Sequence, residues 1–410
     1  MSDQAQAGRG LRTVLLATVL AGGVGYLIQA LVPPLLTQIN YLAFTTFWSA
    51  TYLVVSCLAG VQQELTRASR SGASGTGYRT WRLFAVSASV TAALVVAAIF
   101  SMIGGHIFPV DTIALVAAIT IAAFGYCLIA AVSGALYGVQ DWPGVGGMTV
   151  ADSLIRAATL GIALLMGGTA AMLGWAVAVP FLLAVIVVWL WRGRRISGRL
   201  QLDVGLSQLL RNTSATLIAS LATGALISGL PLLLRALASD AGVGFLASLI
   251  LVISLTRAPL VVPLVALQGF LLVHFRENRH HAASVLRWVG GLLLIVSGLS
   301  ALAAWLGPVI LHALYPGFDP LSGVVFAAIV ASAGLTGVLC ITGPALLAAS
   351  RHRWYVAGWL VSALMTVVVL AAPGDAQLRI LVALVAAPVV GAVVHGVALV
   401  RTGQSAPTSA

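Results

Sequence analysis

The sequence predicts an all-α polytopic membrane protein of about twelve spans in two six-helix bundles, and three observations carry that reading. Hydrophobic residues make up 60% of the 410 positions and charged residues only 8%, with a mean hydropathy of +1.07; soluble domains lie well outside those values. Uncharged apolar runs of about 20 residues, the length a helix needs to cross hydrocarbon, recur along the whole chain. The basic residues, all 21 of them Arg, fall mostly between those runs. A net charge of +11 would suggest nucleic acid in a soluble chain. Here it orients helices and meets anionic lipid headgroups.

Taken in order, Arg9 and Arg12 precede an apolar run that ends at Val32. It is too long for a signal peptide, and no clear cleavage site leads into a soluble domain, so it reads as an uncleaved first helix. The second run, Leu42 to Leu65, closes with Gly60-Val61-Gln62-Gln63-Glu64 before Arg67 and Arg70. That polar end marks a membrane boundary. Glu64 is either a local partner of Arg67 at i, i+3 or, with Gln62 and Gln63, part of a gate. Further runs cover roughly 81–104, 112–136, 148–167, 170–191, 213–236, 243–272, 288–307, 322–348, 354–372 and 378–400.

With the N-terminus inside, 17 Arg fall on inner segments and only Arg235 and Arg379 near the outer side. The positive-inside rule then puts both termini in the cytoplasm of a cell-membrane protein. Outer loops are short and carry Asp111, Asp240, Asp319 and Asp375, which leaves no room for an outer catalytic domain. The domain reading is a bundle over 1–191, a basic and mildly amphipathic inner linker over 192–212, a bundle over 213–401 and a disordered tail over 402–410. The linker suits a helix lying on the membrane surface. A parallel repeat at an offset of 206 residues supports two halves: Gln29-Ala30-Leu31 falls on Arg235-Ala236-Leu237, and Gln62 on Gln268. Parallel repeats are one of the architectures of secondary transporters.

Charges inside spans carry the functional reading, because each costs about 2.5–3.5 kcal/mol even on lenient insertion scales. Asp152 and Arg156 share a helical face at i, i+4. Arg257, in Thr256-Arg257-Ala258-Pro259 with Pro263 beyond, has no acid within ten residues. It either ties the carbonyls freed by the prolines or lines a hydrated cavity. Two stripes of small and hydroxyl residues read either as packing faces or as cavity linings. One is Thr18, Gly22, Gly25 and Gln29 in the first span; the other is Thr213, Thr216, Ser220 and Thr223 in the seventh. Gly22, Gly23, Gly25 and Pro231 would let those two helices bend. Cys57, Cys127 and Cys340 lie in apolar runs and read as packing residues. No disulfide framework, metal spacing, cofactor motif or phosphate-cradling Gly-rich loop is present, so neither a cofactor nor ATP drive is read.

The Gly60-to-Leu65 helix end with Arg67, the Leu136-Tyr137-Gly138 end of the fourth span, the Arg156-bearing fifth span, and Arg257-Ala258-Pro259 with Leu267-Gln268 in the eighth resemble the polysaccharide transporter branch of the multidrug/oligosaccharidyl-lipid/polysaccharide flippase superfamily. That resemblance implies two six-helix bundles forming a V around a central cavity, and no enzymatic activity. It also implies a lipid-linked oligosaccharide as the partner, flipped between leaflets among the membrane lipids, with polysaccharide-assembly proteins nearby. Arg156 and Arg257 would meet the pyrophosphate, with Asp152, Arg235, Gln29 and Gln268 as further cavity residues. The first span lacks the cavity acid of many ion-coupled drug exporters, which weighs against that alternative. A polyprenyl-dependent glycosyltransferase would place an acid in the first outer loop, and Pro33 to Tyr41 holds none. A non-transporting scaffold is the remaining alternative.

Overall fold

A computed structural model of the chain describes residues 2–72, 77–108, 110–277, 281–349 and 351–403. It contains thirteen α-helices: α1 (Ser2–Leu31), α2 (Gln38–Ala68), α3 (Tyr78–Ile107), α4 (Thr112–Gly138), α5 (Trp142–Leu165), α6 (Ala170–Arg199), α7 (Leu206–Ser228), α8 (Leu230–Leu237), α9 (Val243–Glu277), α10 (His281–Leu314), α11 (Gly323–Ala348), α12 (His352–Ala371) and α13 (Ala376–Gly403). Among the described residues, ten helices are long and apolar enough to cross a membrane. The protein is therefore an all-α polytopic membrane protein. The expected seventh span divides at Gly229 into α7 and α8, as the missing N–H of Pro231 favours. The eighth corresponds to α9, whose first part, Val243–Thr256, counts as a shorter apolar helix.

Helix ends follow local chemistry. The Thr37 side chain accepts from the Asn40 N–H, and that of Thr169 from the Met172 N–H, each satisfying one orphan donor of a first turn. The Asp111 carboxylate accepts from Ala171 N at 3.0 Å, which ties the α3–α4 turn to the start of α6.

The chain forms two compact units, Met1–Leu232 and Leu233–Ala410. In the first, α2, α4 and α6 form the centre, with Phe47, Leu115, Ile119, Leu136 and Phe181 fully buried. In the second, α11 is central and packs on α9, α10 and α13; a core of Leu271, Phe275, Val285, Ile341 and Ala345 holds one end.

The boundary after Leu232 places α7 with the first six helices. The reason is a close approach to α2, where a β-carbon on Gly60 would stand 2.7 Å from the Thr216 backbone carbon. The Thr216 hydroxyl lies 3.0 Å from Gly60 O, and the Cys57 thiol 3.7 Å from Leu217 O. The stretch expected as a linker is taken up in regular structure. α6 runs on to Arg199, and strand β2 (Leu200–Leu202) pairs antiparallel with β1 (Ser69–Ser71), with Arg70 opposite Gln201. Asp203 N donates to Ala68 O, and Gly77 N to Leu200 O. The ends of α2, α3 and α6 are thereby clasped together.

Candidate functional site

The candidate site lies inside the first unit, where α5 presents Asp152 and Arg156 toward α2, α4 and α6. The i, i+4 spacing brings the Arg156 guanidinium onto Asp152 Oδ1 as an ion pair. The Arg156 side chain is 3% exposed and that of Asp152 24%, so the carboxylate is the member that remains reachable. A second donor of Arg156 is spent on Val177 O at 2.7 Å.

Pro180 of α6 explains why a carbonyl is available there. A proline inside a helix supplies no N–H to the carbonyl four residues back and pushes the helix open at that point. That carbonyl is Ala176 O, and the Thr159 hydroxyl lies 2.7 Å from it. The next carbonyl, Val177 O, receives Arg156. Thr159 thus replaces the donor that Pro180 removes from α6, and Arg156, one turn away on α5, bonds the neighbouring carbonyl. Arg156 also stands 4.2 Å from the centroid of the Phe181 ring and 5.9 Å from that of Tyr52, which are cation–π distances. Tyr126 of α4 meets Phe181 edge-on at 5.4 Å. On α2 an aromatic ladder, Phe44, Trp48 and Tyr52, runs up to the same point at centroid spacings of 5.7 and 4.9 Å. A fixed guanidinium set among aromatic faces, with one partly exposed carboxylate, can hold an anionic group and stack on flat or ring-shaped ligands.

At the other end of α2 the Glu64 side chain, 3% exposed, takes two bonds from Arg67, at 2.8 Å from Nε and 2.6 Å from Nη2. Asn212 Nδ2 of α7 donates to the same carboxylate at 2.9 Å, and Gln208 Nε2 donates in turn to Asn212 Oδ1 at 2.8 Å. Gln62 is half-buried and Gln63 exposed. Arg192 and Arg195 of the basic stretch lie 3.7 and 3.4 Å from the buried Asp141 carboxylate.

The two small-residue stripes differ. On α7, Thr213 is buried and Thr216 contacts Gly60 of α2, so this stripe packs a helix. On α1, the β-carbon positions of Gly22, Gly23 and Gly25 have no atom within 4 Å, so that stripe is not a close helix contact. α1 instead meets α5 where Gly146 lies against Thr13 and Ala17. Gln29 ends the open stripe with its Oε1 buried and without a hydrogen-bond partner.

In the second unit Arg235 is half-buried on α8. Arg257 and Gln268 lie on α9, and their side chains fall outside the described residues, as does that of Thr223 on α7. Sequence reasoning missed His395 on α13. It is fully buried, with Nδ1 2.8 Å from the Thr342 hydroxyl and Nε2 3.1 Å from Tyr355 O. Since a carbonyl only accepts, Nε2 carries a proton. It missed Tyr52, Phe181 and Thr159 as well; Pro180 in the middle of an apolar run was the signal that a neighbouring helix must supply donors.

No protein-family model matches the chain. It is 32% identical to Uncharacterized protein Rv3630 of Mycobacterium tuberculosis over 386 residues, 93% of this chain and 89% of that one. It is 31% identical to Uncharacterized protein Rv1510 of the same organism over 396 residues, 94% and 90% of the two chains. Among solved structures it resembles the lipid II flippase MurJ in an inward closed conformation, with a TM-score of 0.66, 11% identity and coverage of 94% of this chain and 87% of that one. It also resembles an inward-facing multidrug resistance MATE family transporter of the MOP superfamily, with a TM-score of 0.62, 13% identity and coverage of 95% and 96%. At such identities the two structures speak for the fold alone, whereas the mycobacterial likeness spans nearly the whole of both sequences. The chain belongs to the family of these mycobacterial proteins and has the helical fold of the MATE and MurJ transporters.

Proposed function

We propose that the protein carries a polyprenyl-pyrophosphate-linked oligosaccharide, a precursor of cell-surface polysaccharide, from the inner to the outer leaflet of the cell membrane by alternating access. The observation that carries this reading is the permanent cation held within a span beside the aromatic faces of Phe181 and Tyr52. A pyrophosphate head is prohibitive to move bare through hydrocarbon, and arginine offers planar donors matched to phosphate oxygens. Aromatic faces suit the sugar rings behind it. Arg156 and Arg257 take the pyrophosphate, with Asp152, Arg235, Gln29 and Gln268 as polar contacts of the sugar. Gln62, Gln63, Glu64 and Arg67 form the gate, which opens by releasing Asn212 from Glu64. The fold shared with a lipid II flippase fits this chemistry. Both termini lie in the cytoplasm, so outside labelling of single cysteines fails at Ser197 and succeeds at Ser239.

The test is a proteoliposome assay in which a lipid-linked oligosaccharide loaded on one side becomes accessible to an impermeant sugar-modifying reagent on the other. Transfer above empty vesicles, lost in Arg257→Gln and partly kept in Arg257→Lys at equal inserted protein, is expected. No transfer by well-inserted protein, together with gradient-driven export of organic cations, would replace this reading with drug export. That second reading is favoured by the partly exposed Asp152 carboxylate.

A further inference from the structure

In the second unit α9, α10 and α11 enclose a half-open cleft of about 510 Å³, within the roughly 300–1,000 Å³ of small-molecule sites. Leu264 of α9, Leu292 and Ile295 of α10 and Ile341 of α11 form its walls, with Arg287 and Trp288 toward the first turns of α10. α10 is the helix of this unit most suited to meeting lipid: Leu286, Leu294, Trp305 and Val309 are all largely exposed. Its apolar span, Ser284–Leu314, has 31 residues, about 46 Å at roughly 1.5 Å per residue. Hydrocarbon is only about 30 Å thick, so a helix of this length extends past it, and its arginine- and tryptophan-bearing end is the one assigned to headgroup level. Arg287 and Trp288 sit there, the place where tryptophan and snorkelling arginine collect in membrane proteins. Deeper in, the walls are apolar and give water almost no partners.

We propose that this cleft holds one anionic glycerophospholipid of the surrounding bilayer, its phosphate on the Arg287 guanidinium and one acyl chain along Leu292, Ile295 and Ile341. The head is chosen by charge. Arg287 is exposed, no carboxylate pairs with it among the described residues, and its planar donors suit a phosphate. The chain is chosen by depth and lining. A β-carbon at Gly291 would meet no atom within 4 Å, so the cleft is open along that helix face. This assignment does not depend on what the protein transports.

Native mass spectrometry of the full chain in mild detergent, with equal phosphatidylglycerol and phosphatidylethanolamine added, tests it. Wild type retains one phosphatidylglycerol in preference to phosphatidylethanolamine. Arg287→Gln weakens phosphatidylglycerol retention roughly tenfold, the loss expected for one charge-assisted contact, and leaves phosphatidylethanolamine unchanged. Gly291→Phe grows into open space, keeps the lipid-free thermal midpoint and removes the adduct. Equal retention of the two lipids by wild type, unchanged phosphatidylglycerol in Arg287→Gln, or a persisting adduct in Gly291→Phe would each overturn the proposal. So would displacement of phosphatidylglycerol by an equal amount of polyprenyl phosphate, which would assign the cleft to the carrier lipid.

Discussion

Substituting Asp152 by Asn removes the carboxylate that pairs with Arg156 while keeping the shape of the side chain. The guanidinium stays charged at any accessible pH, and it stays buried because Val177 O and the Phe181 ring hold it in place. Removing one partner of a fully buried pair costs about 3–5 kcal/mol. Asp152 is 24% exposed, so some of its interaction is already screened, and about 2–3 kcal/mol is expected. Arg156→Gln loses the pair, the Val177 contact and the cation–π contact together, and leaves a partly exposed carboxylate. The double variant loses no more of the pair than either single one does. Its destabilisation should therefore fall short of the sum of the two by about 0.5–3 kcal/mol, the coupling range for residues in contact. Thermal unfolding of the four proteins in one detergent, with inserted yield recorded, measures the cycle. Strict additivity would refute the pair as an energetic unit, whatever its geometry.

Gly60→Ala places a carbon 2.7 Å from the Thr216 backbone, where no flexible side chain can yield. It should destabilise the first unit by about 1–3 kcal/mol, the cost of overpacking, seen as a lower thermal midpoint. Asn212→Ala removes a bond to the buried Glu64 carboxylate and should cost about 1.5–3 kcal/mol, the value for a hydrogen bond to a charged group. Combined with Glu64→Gln, which also loses the Arg67 pair, the double variant should lose less than the sum of the two single ones, and strict additivity would mean that the Asn212 bond carries no charge assistance. Gly358→Ala puts a carbon 2.2 Å from the His395 ring and should displace it from Thr342. A ring-proton NMR signal of His395 unchanged from wild type would contradict that displacement.

What the sequence showed, and what it hid, divides by the range of the interaction. The spans were legible because each is a continuous apolar run whose length hydrocarbon dictates. Asp152 with Arg156 and Glu64 with Arg67 were legible because helical spacing alone brings them together. Asn212 reaching Glu64 from 148 residues away was not, since no periodicity links the two. The β1–β2 clasp was hidden in a basic stretch that composition alone reads as surface. The packing of the α7 stripe was settled by Gly60 on a different helix, a relation that only the fold creates.

The same distinction bears on what Arg156 would do under the proposed function. Arginine cannot give up its proton, so the net charge of the site is set by whatever stands opposite it, and Asp152 is that group. The other half of the arrangement lies on α6, next to the carbonyl that Pro180 leaves without a helical donor, where Val177 O holds one edge of the guanidinium. Only the edge facing Asp152 remains for a ligand. On the proposed function, an incoming phosphate must displace Asp152, and the carboxylate occupies the substrate's place between cycles so that no bare cation is left within the membrane. Asp152→Asn should then separate the two properties, with stability falling while affinity for a pyrophosphate-headed lipid rises. Titration of that variant with polyprenyl pyrophosphate, followed by the quenching of Trp48 in a background lacking the other tryptophans, reads the affinity directly. An affinity lower than that of wild type would mean that the carboxylate does not compete with the phosphate for Arg156.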